Sequence, residues 1–496
     1  MEHTSIDSSP RLSPGDLGML AAGAVVGGSI YLLASALIYR IGFPLDDSWI
    51  HLTYARNLAE LGQWAFQPGH LSAGSTSPLW TFLLALGFWL HLGPYIWTYA
   101  LGELCLLGVA VLAESSARRL ALSYHPRWPW IGMFFLAEWH LQWAALSGME
   151  TLLQALLMST VLAMMIAGSR RYLIIGLLIG LSMWIRPDGV TLLGPVLLSI
   201  LVVEKSVTDK ALASAAVLMG FAALTLPYLA FNSWLSGTPL PNTFYAKQAE
   251  YAVWQSTSFL YRLSVLFVQL LTGPSVVLVP GVIAEAVLAF RRRAWAVLAA
   301  LAWCGGYLLI YILRLPAYQH GRYLMPAMPI LFLFGLIALA EFRSSSLFGR
   351  WHWTVKTAWQ LGLALTTLGF VALGARSYGE DVGLIESEMV VTARWVRSNL
   401  PPQAVIAAHD IGALGYFDDH RLIDMAGLVS PEVIPFIRDE TRLAAFLNRR
   451  QADYLIAFPA FYPALTRTAE PVFTTGGRFA PELGEKNMTV YLWKSP

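Results

Sequence analysis

The chain has 496 residues, of which 56% are hydrophobic and only 13% are charged. Soluble globular domains carry about 25% charged residues, so this composition excludes an ordinary soluble domain and indicates a polytopic membrane protein. The formal net charge of +2 gives no indication of a nucleic-acid partner, and the two cysteines, Cys105 and Cys304, lie in apolar runs and are too few for a disulfide framework or a zinc site.

Apolar runs predict eleven membrane spans between residues 17 and 374. The first, 17–39, is longer than the roughly 20 residues needed to cross a bilayer and ends without a small-residue cleavage site, which predicts a retained helix and not a cleaved signal. The other ten predicted spans are 95–114, 128–146, 150–168, 172–186, 189–203, 211–232, 275–290, 294–313, 323–341 and 355–374.

The apolar segment 79–92 is predicted to be a helix at the outer membrane interface. Counting it as a span would reverse the side of every later loop. Without it, the inner loops hold thirteen Lys and Arg residues, against five in the outer loops between residues 147 and 322. The positive-inside rule then places the N-terminus inside and the C-terminus outside.

Residues 375–496 differ from the rest of the chain, because charges become frequent and the apolar runs shorten to strand length. Four runs are typical of strands, at 405–408, 421–424, 453–458 and 488–493, and two are typical of amphipathic helices, at 386–399 and 441–450. We therefore expect a transmembrane domain over residues 1–374 and a small extracytoplasmic α/β domain over residues 375–496.

Two adjacent aspartates, Asp46 and Asp47, directly follow the first apolar run. Acidic residues at a membrane boundary are costly to desolvate and are often functional. The alternative is that they cap a helix beginning near Ser48, because an aspartate at a helix start accepts unpaired backbone N–H groups. One aspartate suffices for a cap, so the second one indicates a further role.

Five stretches of the sequence resemble, in the same order, the GT-C glycosyltransferases, which are polytopic enzymes that take sugars from polyprenyl-phosphate donors. These stretches are DDSWIHLTYARNL (46–58), SGMET (147–151), RPDG (186–189), PLPNTFYAK (239–247) and GRYLMPAMP (321–329). The similarity extends over roughly residues 15–345 and is greatest to the branch containing the mycobacterial terminal arabinofuranosyltransferase. It implies a GT-C fold with interfacial helices in the first external loop. All five stretches lie on the predicted outer side.

The resemblance also implies an inverting transfer in which a first-loop carboxylate deprotonates the acceptor hydroxyl. In this family the first acidic residue of the loop is the usual candidate, which favours Asp46 over Asp47. Two neighbouring carboxylates raise one another's pKa, as suits a base. The same pair could instead ligate a divalent cation (Mg, Mn or Ca) that neutralises the leaving phosphate.

Cationic side chains are expected to meet the phosphate of the lipid donor. Arg322 and Lys247 lie in the matching stretches, and His320 precedes Arg322 by two residues. Arg holds phosphate oxygens in a bidentate fork, whereas Lys acts as a point charge. The alternatives are that Arg322 extends to lipid headgroups and that Lys247 is a solvated loop charge.

Two candidates for substrate binding, His51 and Arg56, lie on the helix predicted after the aspartates. His51 shares a helical face with Asp47, four residues before it, although a lone histidine is more often structural. Glu150 is a third candidate, with helix capping as its alternative. Arg186 and Asp188 flank Pro187 between two apolar runs and could pair to lock an external hairpin.

The remaining candidates for substrate binding are Asn242, Tyr245 and Asp410. Asn242 and Tyr245 follow a turn that would expose polar groups to a sugar, and ordinary turn chemistry is their alternative. Asp410 lies in the loop 409–417, which follows a predicted strand and could face the membrane site or form a simple strand-to-helix turn.

The sequence thus predicts a multi-pass glycosyltransferase on the outer side of the plasma membrane, with arabinofuranose implied by the most similar branch. Its expected partners are a polyprenyl-phosphate sugar donor, a glycan, lipid or protein acceptor and the bilayer. The alternatives are a mannosyltransferase of the same fold, a non-enzymatic protein that binds lipid-linked sugars, and a transporter. A transporter fits less well because the ionisable residues gather at one membrane face and not at mid-membrane.

Overall fold

A computed structural model describes residues 12–121, 124–342 and 349–493. The first eleven α-helices are α1 (Pro14–Ile38), α2 (Asp47–Leu61), α3 (Pro78–Trp89), α4 (Pro94–Leu120), α5 (Trp130–Ala137), α6 (Trp139–Ala145), α7 (Thr151–Ile166), α8 (Tyr172–Met183), α9 (Leu193–Val203), α10 (Val207–Ser236) and α11 (Asn242–Glu250). The next ten are α12 (Phe259–Leu271), α13 (Ser275–Arg292), α14 (Trp295–Arg314), α15 (Met328–Glu341), α16 (His352–Ile385), α17 (Val391–Asn399), α18 (Gly412–Phe417), α19 (Glu440–Arg449), α20 (Pro463–Thr468) and α21 (Phe479–Glu482).

Among the described residues, five helical stretches are long and apolar enough to cross a membrane: α1, α4, α10, α14 and the stretch Gly349–Asn399. The pair α12 and α13 meets the same test together but is bent by 102°, and five further apolar helices are shorter. The chain is a multi-pass membrane protein, and the total of eleven spans stays a prediction.

The predicted span 128–146 is two helices, α5 and α6, separated at Glu138. Glu138 has an extended backbone, and its carboxylate accepts the N–H of Leu141 at 3.1 Å. The same carboxylate lies 2.8 Å from His140 Nδ1. An acidic N-cap in the middle of the apolar run therefore restarts the helix, which the hydropathy alone does not reveal.

The first loop, residues 39–93, holds α2, a short hairpin and α3. The hairpin pairs β1 (Ala65–Gln67) with β2 (His70–Leu71) in antiparallel register. Gly62 ends α2 in the left-handed region at φ 66°, as glycine does at many helix ends. With 12 residues, α3 extends over about 18 Å, too short for a hydrocarbon core of roughly 30 Å.

Helix α16 is continuous across residues 374 and 375, and it joins α17 through a π-helical turn at Glu386–Val390. The predicted domain boundary therefore falls inside a long helix. We call residues 386–493 the tail domain.

The tail domain contains a five-stranded sheet in the order β4-β3-β5-β7-β6. Its strands are β3 (Val405–Ala408), β4 (Arg421–Asp424), β5 (Tyr454–Ala457), β6 (Glu470–Thr474) and β7 (Thr489–Leu492). The pairs β3–β4 and β3–β5 are parallel, whereas β5–β7 and β6–β7 are antiparallel. All four predicted strands are confirmed, and β6 was not predicted because this exposed edge strand contains Pro471.

Two hydrophobic cores lie on the two sides of this sheet. One is continuous with the membrane helices and includes Ile406, Ile411 and Leu414. The other is smaller and includes Leu443 and Leu455. Because the first core joins both parts of the chain, the tail domain is packed firmly against the first loop.

Candidate active site

The two adjacent aspartates at the start of α2 contact different parts of the molecule. Asp46 is the N-cap residue of α2, but its side chain makes no capping hydrogen bond to that helix. The capping alternative is therefore wrong. Asp46 points to the tail domain, and Asp47 points to a group of cations from later loops.

Asp46 is buried and binds the start of α18. Its two carboxylate oxygens accept the N–H of Gly412 at 2.6 Å and of Ala413 at 2.8 Å. A Cβ atom on Gly412 would lie 2.0 Å from the Asp46 carbonyl oxygen, so this approach requires glycine. Burial, and then the charge of Asp410, raise the pKa of Asp46 to about 7 despite the two amide hydrogen bonds.

Arg56 binds the other end of the same short helix. Its guanidinium donates to the carbonyl oxygens of Tyr416 at 2.7 Å and Gly415 at 3.2 Å, and it lies 5.0 Å from the centre of the Tyr416 ring. Helix α2 thus holds α18 at both ends. The structure places Arg56, predicted to bind substrate, in this contact between the first loop and the tail domain.

Asp47 lies between two cations. Its Oδ2 is 3.1 Å from Arg322 Nη2 and 3.7 Å from Lys247 Nζ. Burial favours a higher pKa for Asp47, but the charges of Lys247 and Arg322 outweigh it, so the pKa is lowered and the carboxylate is ionised at neutral pH.

The ring of Tyr323 lies at the centre of three cations. Its hydroxyl accepts hydrogen bonds from Lys247 Nζ at 2.8 Å and from Arg322 Nη2 at 3.0 Å. The charged groups of Arg186, Lys247 and Arg322 lie 4.8, 5.4 and 5.0 Å from the ring centre, where the negative face of an aromatic ring attracts them. We call Arg186, Lys247 and Arg322 around Tyr323 the cation cluster.

The Arg322 guanidinium is not fully hydrogen-bonded within the described residues. Its side chain is only 2% exposed, and its Nε and Nη1 have no hydrogen-bond partner among the described residues. Buried and unpaired charged donors are costly, so this arrangement is suited to an anion that is bound during function. The headgroup alternative for Arg322 is wrong, and so is the solvated-loop alternative for Lys247, which is partly buried in the last turn of α11.

Glu150 and His51 extend the network of charged groups from Arg186. Glu150 makes no capping bond at the start of α7 and instead contacts Arg186 Nη1 at 3.1 Å and His51 Nε2 at 3.5 Å. The Nδ1 of His51 lies 3.2 Å from the Ser75 hydroxyl and 3.3 Å from the Thr81 hydroxyl. The capping alternative for Glu150 is wrong, and His51 belongs to a buried polar chain.

The expected pair of Arg186 and Asp188 is confirmed at 3.4 Å, but it forms part of a larger network. Asp188 also accepts hydrogen bonds from the hydroxyls of Tyr307, at 2.7 Å, and Tyr311. These tyrosines and Tyr323 were not predicted. The spacing of Tyr307 and Tyr311 on α14, four residues apart, is the signal in the sequence that could have indicated them.

His320 lies apart from the cation cluster. Its Nε2 is 2.8 Å from Asp381 Oδ2, an oxygen that also accepts the Trp143 indole N–H at 2.9 Å. His320 and Gly321 both have left-handed backbones, at φ 56° and 72°, and this turn directs the side chains of His320 and Arg322 to different partners.

Asn242 and Tyr245 begin α11. The Asn242 amide donates to the Leu428 carbonyl of the tail domain at 3.1 Å, and the Tyr245 ring packs edge-on against Phe244 with 5.4 Å between centres. The structure thus places Asn242 at the contact with the tail domain.

Asp410 reaches the site from the loop between β3 and α18. Its Oδ2 is buried and has no hydrogen-bond partner among the described residues. The neighbouring His409 contacts the Tyr462 hydroxyl at 2.7 Å and Glu250 at 3.6 Å. Burial favours a lower pKa for His409, but Glu250 and then Asp410 outweigh it and raise that pKa to about 9. Burial, aided by the charge of Asp47, raises the pKa of Asp410.

A divalent cation at the first-loop aspartates stays a prediction. Both oxygens of Asp46 accept amide N–H groups, and Asp47 already faces two cations. In the described ranges no group of three or more His, Cys, Asp or Glu side chains is placed to hold a metal ion.

An apolar cavity of about 360 Å³ lies among α12, α13, α14 and α15, with Leu270, Leu278, Leu308 and Phe332 in its lining. It lies close to the loop that carries Arg322, because a Cβ atom on Gly321 would be 3.3 Å from Cβ of Gln269, the neighbour of Leu270.

Residues 381–491 match a family described as Domain of unknown function (DUF8728). No curated protein matches the chain. Among solved structures, ArnT from Cupriavidus metallidurans bound to undecaprenyl phosphate is similar with a TM-score of 0.62 and 17% identity, over 97% of this chain and 98% of that one.

Two other enzymes have similar structures. The Archaeoglobus fulgidus oligosaccharyltransferase in complex with Zn and sulfate has a TM-score of 0.55 at 14% identity, over 88% of this chain and 68% of that one. Arabinofuranosyltransferase AftD from Mycobacteria has a TM-score of 0.52 at 15% identity, over 98% of this chain and 40% of that one. All three have the GT-C fold, and the predicted fold of this chain is confirmed.

Proposed function

From this fold and site, we propose that the protein is a glycosyltransferase that moves a sugar from a polyprenyl-phosphate donor to an acceptor on the outer side of the plasma membrane. The observation that carries the proposal is Arg322, a buried arginine beside Lys247 and Tyr323 that has two donors without a partner among the described residues. Such a cationic group is complementary to a phosphate. The proposed orientation has the N-terminus inside and the tail domain outside.

The donor phosphate binds to Arg322 and Lys247 in this proposal. Asp47 balances one of the two positive charges while no donor is bound, and the phosphate adds negative charge when it enters. As the bond between the sugar and the phosphate breaks, the negative charge on the phosphate grows, and fixed cations stabilise it. His320, predicted to bind phosphate, instead positions the loop of Arg322 through its contact with Asp381.

The cavity among α12, α13, α14 and α15 is the proposed place for the isoprenoid tail. Its lining is almost entirely apolar, and it lies beside the loop that ends at Arg322. A tail in this cavity would place the phosphate next to the cation cluster. Lateral entry between helices follows from the position of the cavity among apolar helices.

Asp47 is the first-loop carboxylate that reaches the proposed phosphate site, whereas Asp46 is engaged by the tail domain. Glu150 contacts both Arg186 and His51 and so helps to hold the cation cluster in place. Asn242, Tyr245 and Arg56 shape the rim where the tail domain meets α11 and α2. No step of this proposal passes through a metal, and turnover with and without a chelator tests that point.

For the sugar, arabinofuranose is proposed from the sequence resemblance and the likeness to AftD, and mannose is the second candidate. The acceptor is a glycan, a lipid or a protein. The experiment is to incubate purified protein with undecaprenyl-phosphate arabinofuranose or mannose and to measure the release of undecaprenyl phosphate.

We expect Arg322→Ala to lower the release at least about 100-fold, because removal of one fixed donor to a developing anion commonly costs this much. Arg376→Ala is the matched control, since Arg376 is exposed on α16 and pairs with Glu380 one helical turn later. Equal release by wild type and the Arg322 variant would contradict the proposed site. Binding of donor without any release would favour the non-enzymatic alternative.

A further inference from the structure

The sheet of the tail domain has a point at which the chain connections diverge. Strands β3 and β5 are parallel neighbours, with β4 next to β3 and β7 next to β5. After β3 the chain turns towards β4, whereas after β5 it turns towards the side of β7 and β6. In open α/β sheets, ligands bind at the carboxyl ends of two strands whose connections diverge in this way. The ends of β3 and β5 are therefore a candidate binding site.

A charged pair from two parts of the chain lies at this point. His409 directly follows β3, and its Nε2 lies 3.6 Å from Oε1 of Glu250, the last residue of α11. The Nδ1 of His409 contacts the Tyr462 hydroxyl at 2.7 Å. Arg438 of the tail domain donates to the backbone carbonyl of Glu250 and so fixes the end of α11 there. The Glu250 carboxylate is partly exposed, so it can also accept hydrogen bonds from a ligand.

An exposed aromatic ring adjoins this pair on the tail domain, and a second one adjoins it on α11. Phe461, in the loop after β5, is 53% exposed, and its ring centre lies 5.9 Å from that of His409. Tyr318 is 52% exposed, and its ring centre lies 5.8 Å from that of Tyr251, the residue after Glu250. Aromatic rings around a few placed polar groups are typical of ligand sites. We call Phe461, His409, Glu250 and Tyr318 the aromatic site.

Two elements connect the aromatic site to the cation cluster. Lys247 lies three residues before Glu250 on α11, so the two side chains share a helical face with about 5–6 Å between their Cβ atoms. Tyr318 lies in the loop that carries Arg322, and its carbonyl accepts the N–H of Gly321 at 3.1 Å. A molecule bound at the aromatic site would therefore lie next to the proposed donor phosphate.

The chemistry of the aromatic site favours one class of ligand. A lipid chain over the site would remove the charged pair of Glu250 and His409 from water, which is costly. An extended peptide commonly pairs with the edge of a sheet, whereas β3 and β5 are inner strands. A sugar ring has an apolar face that packs against an aromatic ring and hydroxyl groups that bind to charged side chains.

We propose that the aromatic site binds the acceptor and that the acceptor is a carbohydrate. This inference rests on the proposed function and deepens it, because it selects a glycan from the three classes of acceptor. Phe461 and Tyr318 supply the rings on which the sugar packs, and Glu250 and His409 bind its hydroxyl groups. The tail domain then holds the acceptor, and the cation cluster holds the donor.

The test measures binding and turnover separately, with the full-length protein in detergent. Calorimetry measures the binding of two probes, a tetrasaccharide of arabinofuranose and one of mannose, at up to about 10 mM, which exceeds most KM values. We expect Phe461→Ala to weaken the binding of the tetrasaccharide that wild type takes about tenfold, and to raise its KM as acceptor equally. Glu250→Gln should weaken it about fivefold. The affinity of both variants for undecaprenyl phosphate should stay within about twofold.

Val472→Ala is the matched control, because Val472 is an exposed apolar residue of the same domain on the edge strand β6. Thermal unfolding shows whether each variant stays folded, and Glu250→Gln, which keeps the size of the side chain, decides the matter if Phe461→Ala is unstable.

The outcomes separate this inference from the proposed function. Tetrasaccharide affinities within twofold of wild type in both variants, or no binding of either tetrasaccharide by wild type, would overturn this inference alone. A peptide or a sugar-free lipid that accepts the sugar with a KM unchanged by Phe461→Ala would also overturn it. Absence of release from every donor, together with tetrasaccharide binding that Phe461→Ala weakens, would contradict the proposed function and support a carbohydrate site here.

Discussion

Two neighbouring carboxylates in one loop have opposite surroundings. Asp46 faces the tail domain, where every oxygen of its side chain has a backbone partner and α18 is held at its other end by Arg56. Asp47 faces the cation cluster, where Arg322 keeps two buried donors without a partner in the described structure. The first contact is complete without a ligand, and the second is not.

This difference distinguishes a structural contact from the proposed binding site. Buried polar groups in a folded protein are nearly always hydrogen-bonded, because an unpaired one costs free energy. The contact of Asp46 follows that rule and needs no further explanation. The exception at Arg322 lies in the cation cluster, where a bound phosphate would supply the partners that its two donors lack among the described residues.

The largest effect is expected from Gly412→Ala, which disrupts the contact between Asp46 and the start of α18. The new Cβ would lie 2.0 Å from the Asp46 carbonyl oxygen, a backbone atom that cannot rotate away. Overpacking of this kind costs about 1–3 kcal/mol or more, so we expect a clear fall of the thermal unfolding temperature in detergent and loss of turnover. Gly476→Ala is the control, because its Cβ would meet nothing within 4 Å. Equal unfolding temperatures for both variants would show that α18 is not docked on Asp46.

The pair Asp46→Asn and Asp47→Asn tests the comparison directly. Removing the charge of Asp47 leaves Arg322 and Lys247 without their anion, so undecaprenyl phosphate should bind about tenfold more tightly while turnover falls. Asp46→Asn should leave this affinity within about threefold. It should lower the unfolding temperature, because the asparagine side chain has only one oxygen and cannot accept both N–H groups in the way that the two carboxylate oxygens do. Calorimetric binding and thermal unfolding measure the two effects, and equal changes of affinity in both variants would contradict the division of roles.

The sequence predicted the fold better than it predicted the site, because a fold depends on patterns over many residues. The runs 405–408 and 421–424 coincide with strands β3 and β4. The resemblance carried by the five stretches indicated the GT-C fold, which is confirmed. The break at Glu138 was missed because it depends on one capping residue inside an otherwise apolar run.

The site could be predicted only in part, because it depends on contacts between distant residues. Arg322, Lys247 and Asp47 are 75 or more residues apart in sequence, yet the structure brings these three predicted residues together. Nothing local in the sequence shows that Asp46 faces Gly412, 366 residues later. For the same reason the spacing of two residues between His320 and Arg322 suggested one shared role, whereas the left-handed turn between them gives each a different partner.

The pH dependence of stability provides a further test of the Asp46 contact. Its pKa is raised from 3.8 to about 7 in the folded protein, so between these pH values the folded state keeps a proton that the unfolded state has lost. The contribution of Asp46 to stability therefore falls as pH rises through this window and does not change above it. We expect the unfolding temperature of wild type, relative to Asp46→Asn, to decrease by a few degrees from about pH 5 to pH 7.5. In Asp410→Asn the decrease should occur at lower pH, since the charge of Asp410 contributes to the raised pKa.

The smallest effect is expected at Tyr323, in the cation cluster that Asp47 faces. Its hydroxyl accepts hydrogen bonds from Lys247 and Arg322 and so holds both cations in place. In Tyr323→Phe the ring and its attraction for the cations remain, and only this acceptor is lost, at a cost of about 1 kcal/mol. We expect about a fivefold weaker binding of undecaprenyl phosphate with an unchanged unfolding temperature. Tyr39→Phe is the control, because Tyr39 packs edge-on against Phe479 outside the cluster. A loss as large as that of Arg322→Ala would mean that the hydroxyl contacts substrate itself, and the cations alone would then not account for phosphate binding.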